Sequence, residues 1–338
     1  MTKREKVKAV IEGKILDAPP YYIDLTVFGK QKMADYYGIK PEQVQEVTGN
    51  HLLYLNFTES DGFVPELIGE NLYNDEFGVT WDNGKTREIG DWGLVENPVK
   101  NMEIGDYIFP TGKGSGRFVQ AAKMAAENPD CFSLLQMTGV FDTAWHVTGI
   151  QDMLMAMSLD SGFADKMLDL SLEYNLNIIE QVPDNIEGIR FLEDWGDQRC
   201  LMMGMDYWRR YLKPRLKIMY EAARKKGKAV FIHSCGNVTD VFPDLIELGV
   251  DVADPIQPEV MDLEFIKREY GQDIVLFGGI GSQSTIPLGT TDMIINECYE
   301  RLALLSKGGK YIMGPSGAIP NDTPVENIAA LIEFCQKM

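Results

Sequence analysis

Two residues apart in the run KAVFIHSC, His233 and Cys235 pair an imidazole with a thiol. If that run is a β-strand, alternate side chains share a face, so both groups point the same way. Neutral imidazole and thiolate are good ligands for Zn2+, and His-x-Cys at a strand end makes half of such a site. A buried small cysteine beside a hydrogen-bonded histidine has the same spacing, so the pair alone leaves both readings open. A third ligand must come from another strand end. Glu193 and Asp194, closing the run GIRFLED, are the nearest candidates in kind. The expected metal set is His233, Cys235 and Asp194, with Glu193 joining the first two as a catalytic candidate.

Short apolar runs alternate with long amphipathic stretches from about residue 130 onward. Strands are expected at 132–137, 188–194, 228–234, 250–255, 273–280 and 310–316, with an earlier one at YYIDLT, 21–26. Helices are expected at 150–182, 205–227, 238–248, 261–270, 290–307 and 323–337. In the second of these, Pro214 should kink or restart the helix and Gly227 should end it. Strands separated by helical patterns argue for βαβ units and a parallel sheet. No G-x-G-x-x-G turn follows the first strand, which weakens a dinucleotide-binding reading. About six βα units point instead to a (β/α)8 TIM barrel, whose chemistry belongs at the C-terminal strand ends.

Collecting those ends gives Asp24, Gln136, Asp254, Gln257, Ser282 and Ser316 beside the residues already named. Asp24, Gln136, Asp254, Gln257 and Ser316 are substrate-binding candidates, with Trp195 and Gln198 after the GIRFLED strand and His146 just past the 132–137 strand. Residues 50–115 break the rhythm and are rich in Gly, Asn, Asp and aromatics. Asn83-Gly84 between short β-type runs is a hairpin signal. This stretch reads as a lid over the barrel mouth within a single 1–338 domain. Its aromatics (Tyr54, Phe57, Phe63, Phe77, Trp81) suit either an apolar slot or plain packing.

The balance of 32 Lys and Arg against 51 Asp and Glu gives a net charge of −19. Such a field repels phosphate backbones and anionic lipid surfaces, so neither nucleic acid nor membrane is an expected partner. The charged N-terminus has no signal-peptide core, and no apolar run approaches the ~20 residues that cross a bilayer. Five cysteines without disulfide spacing fit a reducing cytoplasm.

Three runs, FIHSCGNVTDVFPDLIELGVD, VLFGGIGSQSTIPLGTTDMI and YIMGPSGAIPNDTPVENIAALI, resemble the uroporphyrinogen decarboxylase superfamily. DEFGVTW and EDWGDQRCLMMGMDYWRRYLKPRLKIM agree. That superfamily also holds the zinc-dependent, corrinoid-linked methyltransferases. Its true decarboxylases clamp a polycarboxylate with arginines near the N-terminus, whereas this chain has none between Arg4 and Arg87. The branch that methylates coenzyme M resembles this chain at His233 and Cys235, but completes its zinc with a cysteine on the last strand. Here that place holds Ser316 and Gly317. The resemblance therefore implies methyl transfer from a small methoxy-aromatic or methylamine-like donor to the cobalt of a corrinoid-binding protein. A carboxylate would complete the metal, and a homodimer is possible. Another barrel lyase on a small substrate, or a metal-free binding homologue, are the alternatives.

Overall fold

The structure is a computed structural model, and it describes residues 1–58, 66–82, 84 and 93–338. Seven apolar runs become strands: β1 (Leu52–Leu55), β6 (Phe132–Thr138), β7 (Gly188–Leu192), β8 (Ala229–His233), β9 (Val252–Ile256), β10 (Val275–Ile280) and β11 (Tyr311–Pro315). Four shorter ones lie between the first two: β2 (Glu66–Leu67), β3 (Leu72–Asn74), β4 (Thr80–Asp82) and β5 (Gly93–Glu96). Among the described residues the seven form one parallel sheet in the order β1-β6-β7-β8-β9-β10-β11. With helices outside every crossover, both faces are buried, and the strands read as nearly continuous apolar runs.

The expected strand at 21–26 is only partly one. Residues 20–25 make isolated parallel bridges, Tyr21 with Met313 and Leu25 with Ile319. On that side Tyr22 N–H donates to the Met313 carbonyl at 2.9 Å, and Met313 N–H donates to Pro20. On the other side a side chain replaces the ladder: the Asn50 amide accepts from Ile23 N–H at 2.8 Å and donates to the Ile23 carbonyl at 3.0 Å. His51 N–H adds a bond to the Tyr21 carbonyl. The two edge strands are thus joined through one extended segment, and the sheet curls back on itself. Pro19 and Pro20 donate nothing to a ladder, which explains why no regular strand forms there.

Inward-facing residues settle into layers. Leu52, Phe132, Leu134, Phe231, Val252, Val275, Phe277 and Ile312 form an apolar plug, closed below by Val7 and Val10 of the helix Lys3–Ile11. Two residues further along β6, β8 and β9, the same faces carry Gln136, His233 and Asp254. The change from apolar to polar along these three strands puts Gln136, His233 and Asp254 at their C-terminal ends.

Outside the barrel, helix Ser161–Gln181 buries Met167, Leu168, Leu172, Asn175, Ile178 and Ile179 at helical spacing. The single helix expected over 150–182 is two, Ile150–Leu159 and Ser161–Gln181, because the Asp160 side chain caps the second at Phe163 N–H. A separate helix, Val140–Thr148, precedes them. Pro214 restarts its helix in the first turn of Lys213–Lys225, directly after a π-helical turn over Trp208–Leu212. Among the described residues no helix is long and apolar enough to cross a membrane.

The interval 50–115 needs a correction at its start, since Leu52–Leu55 is a barrel strand and Tyr54 therefore belongs to the barrel. Beyond it, β2-β3-β4-β5 make an antiparallel sheet of their own. β4 and β5 do pair, but residues 83–92 separate them, so no two-residue turn joins them; Asn83 and Phe63 lie outside the described residues. The β3–β4 turn is pinned to the barrel's helices. Arg117 donates to both carboxylate oxygens of Glu76, at 2.9 and 2.7 Å, and the Tyr174 hydroxyl donates to one of them at 2.7 Å. Phe77 packs against the Tyr174 and Phe109 rings.

Candidate functional site

β7 and β8 end side by side, Leu192 opposite His233, and the chain beyond each carries the site. The loops that follow touch backbone to backbone. A Cβ on Gly196 would stand 2.7 Å from the Cys235 carbonyl, and one on Gly236 2.5 Å from the Asp197 carbonyl. Gly236 also has φ +81°, so glycine is needed there twice over. This close approach brings Asp194 to Cys235, whose N–H donates to the Asp194 carboxylate at 2.9 Å.

Asp194, His233 and Cys235 each offer one ligand atom, and the three atoms lie within 4.8 Å of one another. Around a tetrahedral zinc with bonds of about 2.0–2.3 Å, ligand atoms stand about 3.5 Å apart, so the set needs only slight contraction to close. His233 Nε2 is already 3.5 Å from Cys235 Sγ. Its Nδ1 lies 2.6 Å from Arg190 Nη2 and 3.5 Å from Asp254 Oδ2. A proton on Nε2 lets Nδ1 accept from Arg190; a ligand bond from Nε2 requires Nδ1–H, for which Asp254 is the acceptor. Burial and Arg190 oppose charge on this ring, but Cys235 and Asp254 outweigh them and raise its pKa to about 10.

Glu193 is placed differently from its neighbour. Fully buried, it accepts from Val140 and Phe141 N–H at 2.5 and 2.9 Å, at the start of helix Val140–Thr148, and from the Trp195 indole at 3.3 Å. Burial pushes its carboxyl well above the ordinary range, and Asp142 adds to the push. Asp142 in turn accepts from Asp194 N–H at 3.0 Å and from the Trp145 indole at 2.9 Å. Burial, with Asp194 beside it, takes the Asp142 carboxyl up to about 8.

Of the substrate-binding candidates, the structure gathers Gln136, Asp254 and Asp24 around Arg190. Gln136 Oε1 accepts from Arg190 Nη1 at 2.7 Å, and Asp254 is ion-paired with Nε. Burial raises the Asp24 carboxyl, with Arg190 opposing it and Asp254 reinforcing it. Gln257 accepts from Gly236 N–H at 3.1 Å, while its buried Nε2 meets no acceptor among the described residues. Ser316 is tied to Ser282, Oγ to Oγ at 3.1 Å, and reaches Glu259 at 3.4 Å. His146 stands edge-on to Trp145 and to Trp81 of β4, at 4.2 and 5.2 Å, and burial lowers its pKa to about 4. Trp195 is wholly buried against Trp208 in the core behind β7, and Gln198 is exposed on the turn after it. Neither joins the cluster.

Arg190 and Asp142 are the groups sequence reasoning missed. Arg190 lies on the inward face of β7, in register with Gln136 and Phe231, but its charge sits in an apolar run where a cation is unexpected. Asp142 lies on a helix, off the strand ends altogether.

The structure is similar to that of a methyltransferase from Methanosarcina mazei, with a TM-score of 0.76 and 19% identity over 100% of this chain and 99% of that one; at this identity the likeness shows the barrel fold. Among curated proteins, the methylated-thiol–coenzyme M methyltransferase of Methanosarcina mazei is 21% identical over 205 residues, 60% of this chain and 52% of the relative. The methylcobamide:CoM methyltransferase MtaA of Methanosarcina barkeri is 28% identical over 131 residues, covering 39% and 36%. The methylcobamide:CoM methyltransferase MtbA of Methanosarcina mazei is 22% identical over 255 residues, covering 72% and 70%. The chain thus spans about half of the first relative and about a third of the second. Residues 111–338, which carry β6 to β11 and both loops of the candidate site, match the uroporphyrinogen decarboxylase (URO-D) model, and the chain belongs to that family.

Proposed function

We propose that the chain is a corrinoid-dependent methyltransferase, moving a methyl group between a small methoxy-aromatic or methylamine-like donor and the cobalt of a corrinoid protein. The observation that carries this reading is the convergence of Asp194, His233 and Cys235 at the strand ends of a URO-D barrel. Methyltransferase activity in the named relatives supports it.

Asp194, His233 and Cys235 would hold Zn2+, which when bound supplies a Lewis acid for the leaving atom of the donor. That need is physical, because an alkoxide or phenolate is a poor leaving group unless its oxygen is met by an electrophile or a proton. Cys235 and Asp194 bring two negative charges to balance the dication. Asp254 is the acceptor that fixes the ring of His233 for ligation. Asp194 would take the place that the family resemblance gives to a cysteine near Ser316, whose hydroxyl here is committed to Ser282 and Glu259. Trp81, Trp145 and His146 form an apolar wall beside Asp194, and Trp81 gives the small sheet its part as a lid. Gln257 Nε2 is a free donor next to the Cys235 loop.

Purified protein should contain about one zinc per chain, lost in His233→Ala and Cys235→Ala. Mixed with a Co(I) corrinoid protein and methyl donors, it should form methyl-Co(III), seen by its absorption. A metal-free wild type of unchanged turnover would remove the metal from this reading. No methyl-Co(III) with any methoxy-aromatic or methylamine would leave a barrel lyase as the better account.

A further inference from the structure

The polar layer of the barrel contains a buried cation that sequence reasoning did not place there. Arg190 is 6% exposed, and each of its three nitrogens has a close neighbour: Nε the Asp254 carboxylate, Nη1 the Gln136 carbonyl oxygen and Nη2 the His233 ring. The flat face of its guanidinium lies 4.9 Å from the centre of the Tyr54 ring, which is itself stacked on Tyr22 at 4.0 Å. The group therefore has no direction left in which to swing.

We infer that Arg190 is the positioning residue of the His233 imidazole, fixing the ring so that Nε2 is presented to Cys235 and Asp194. The assignment rests on the metal reading of those three residues. Rotation about two side-chain bonds would otherwise carry Nε2 away from its neighbours, and the backbone of β8 does not prevent it. Contacts to Nδ1 do: with Nε2 as the ligand, Nδ1–H is turned to Asp254 Oδ2, 3.5 Å away, and the ion pair to Arg190 Nε holds that carboxylate in place. A planar fork makes its three contacts in one plane, so the pose of His233 is set by β1, β6, β7 and β9 together. Lysine could supply the charge but only a single point of contact.

Stability alone gives little reason for such a pair. Taking two charges out of water costs several kcal/mol each, on the order of what their attraction returns, and apolar replacements of buried pairs are often neutral. The Asp254 carboxylate already neutralises the Arg190 charge inside the barrel. Outer-shell partners of a metal-binding histidine, by contrast, are worth about 10- to 100-fold in metal affinity.

The test uses metal-free full-length protein and Co2+ as the probe, read by the absorption of a cobalt–thiolate bond, with Zn2+ affinity measured against a chromophoric chelator. Wild type, Arg190→Lys, Arg190→Met, Asp254→Asn and the double variant Arg190→Met/Asp254→Asn are compared. Cys235→Ser serves as the control that abolishes the thiolate band. Arg190→Met should bind both ions about 10- to 100-fold more weakly and shift the cobalt spectrum, and lysine should not restore it. If Arg190→Met fails to fold, the double variant, which leaves no lone buried charge, should still bind more weakly than Asp254→Asn. Affinity and spectrum equal to those of its reference in both Arg190→Met and the double variant would overturn the assignment. No thiolate band in the wild type would instead overturn the metal reading itself.

Discussion

At the scale of single residues, the site is a set of buried charges that hold one another in place. His51 shows how far burial governs titration even outside it. Buried beside Tyr21, with Lys6 and Lys3 near, its pKa is lowered to about 4. The unfolded chain therefore takes up this proton near pH 6.5 and the folded one only near 4. Between those values the unfolded state binds more protons, so folding stability falls as pH falls, by up to about 1.4 kcal/mol per unit from this residue. Melting followed from pH 7 to pH 4.5 should show that loss, and His51→Gln should flatten the curve. That His233 and Cys235 face the same way at a strand end, with a carboxylate of the neighbouring strand beside them, was legible in the sequence from strand period. The sequence left Glu193 and Asp194 undivided as third ligand, since the difference lies in a turn of backbone: Asp194 meets Cys235 while Glu193 meets the start of a helix.

At the scale of elements, glycines and side chains fix how neighbours meet. Gly139 ends β6 where the Glu193 carboxylate reaches Val140 and Phe141, and a Cβ there would collide with that carboxylate. Gly139→Ala should expel Glu193 from the helix start and destabilise the protein by at least about 1–3 kcal/mol, read by denaturant unfolding. The Glu76–Arg117 pair clasps the β3–β4 turn in the same way. Arg117→Met would take the countercharge from the buried Glu76 carboxylate, at a cost of up to about 3–5 kcal/mol. It should also expose β2 to β5 to limited proteolysis at concentrations that leave the wild type intact. Neither contact was visible beforehand. Gly139 reads in the sequence as an ordinary loop residue, and Glu76 and Arg117 are 41 residues apart with nothing periodic between them. The six later strands and most of the helices between and after them were legible because their apolar spacing is regular, whereas the helices Val27–Tyr37, Val119–Glu127 and Val140–Thr148 were not expected. β1 was not, as its four residues open a stretch of turn-forming composition.

For the whole molecule, closure of the sheet rests on a short segment and one amide. Asn50 supplies both hydrogen bonds to Ile23 that a backbone ladder would have made. Asn50→Leu should leave two buried backbone groups unpaired, at about 1–3 kcal/mol each, and open the seam between β1 and residues 20–25. Hydrogen exchange at Tyr21, Ile23 and His51 should rise first, before any change in helical signal. A barrel was expected from the count of βα units, and the structural likeness to the Methanosarcina mazei methyltransferase agrees. The means of closure could not be read in advance, because a side chain that imitates a strand leaves no alternating pattern.

The plug of Phe132, Phe231 and Phe277 above Val7 and Val10 has a consequence for traffic. A barrel sealed at its base has one doorway. On the proposed function, a small donor and a docked corrinoid protein that both need His233 would have to arrive in sequence, the small one first, and leave in the reverse order. Kinetics should show it: excess partner protein should slow the entry of the small molecule, while excess small molecule should leave docking untouched.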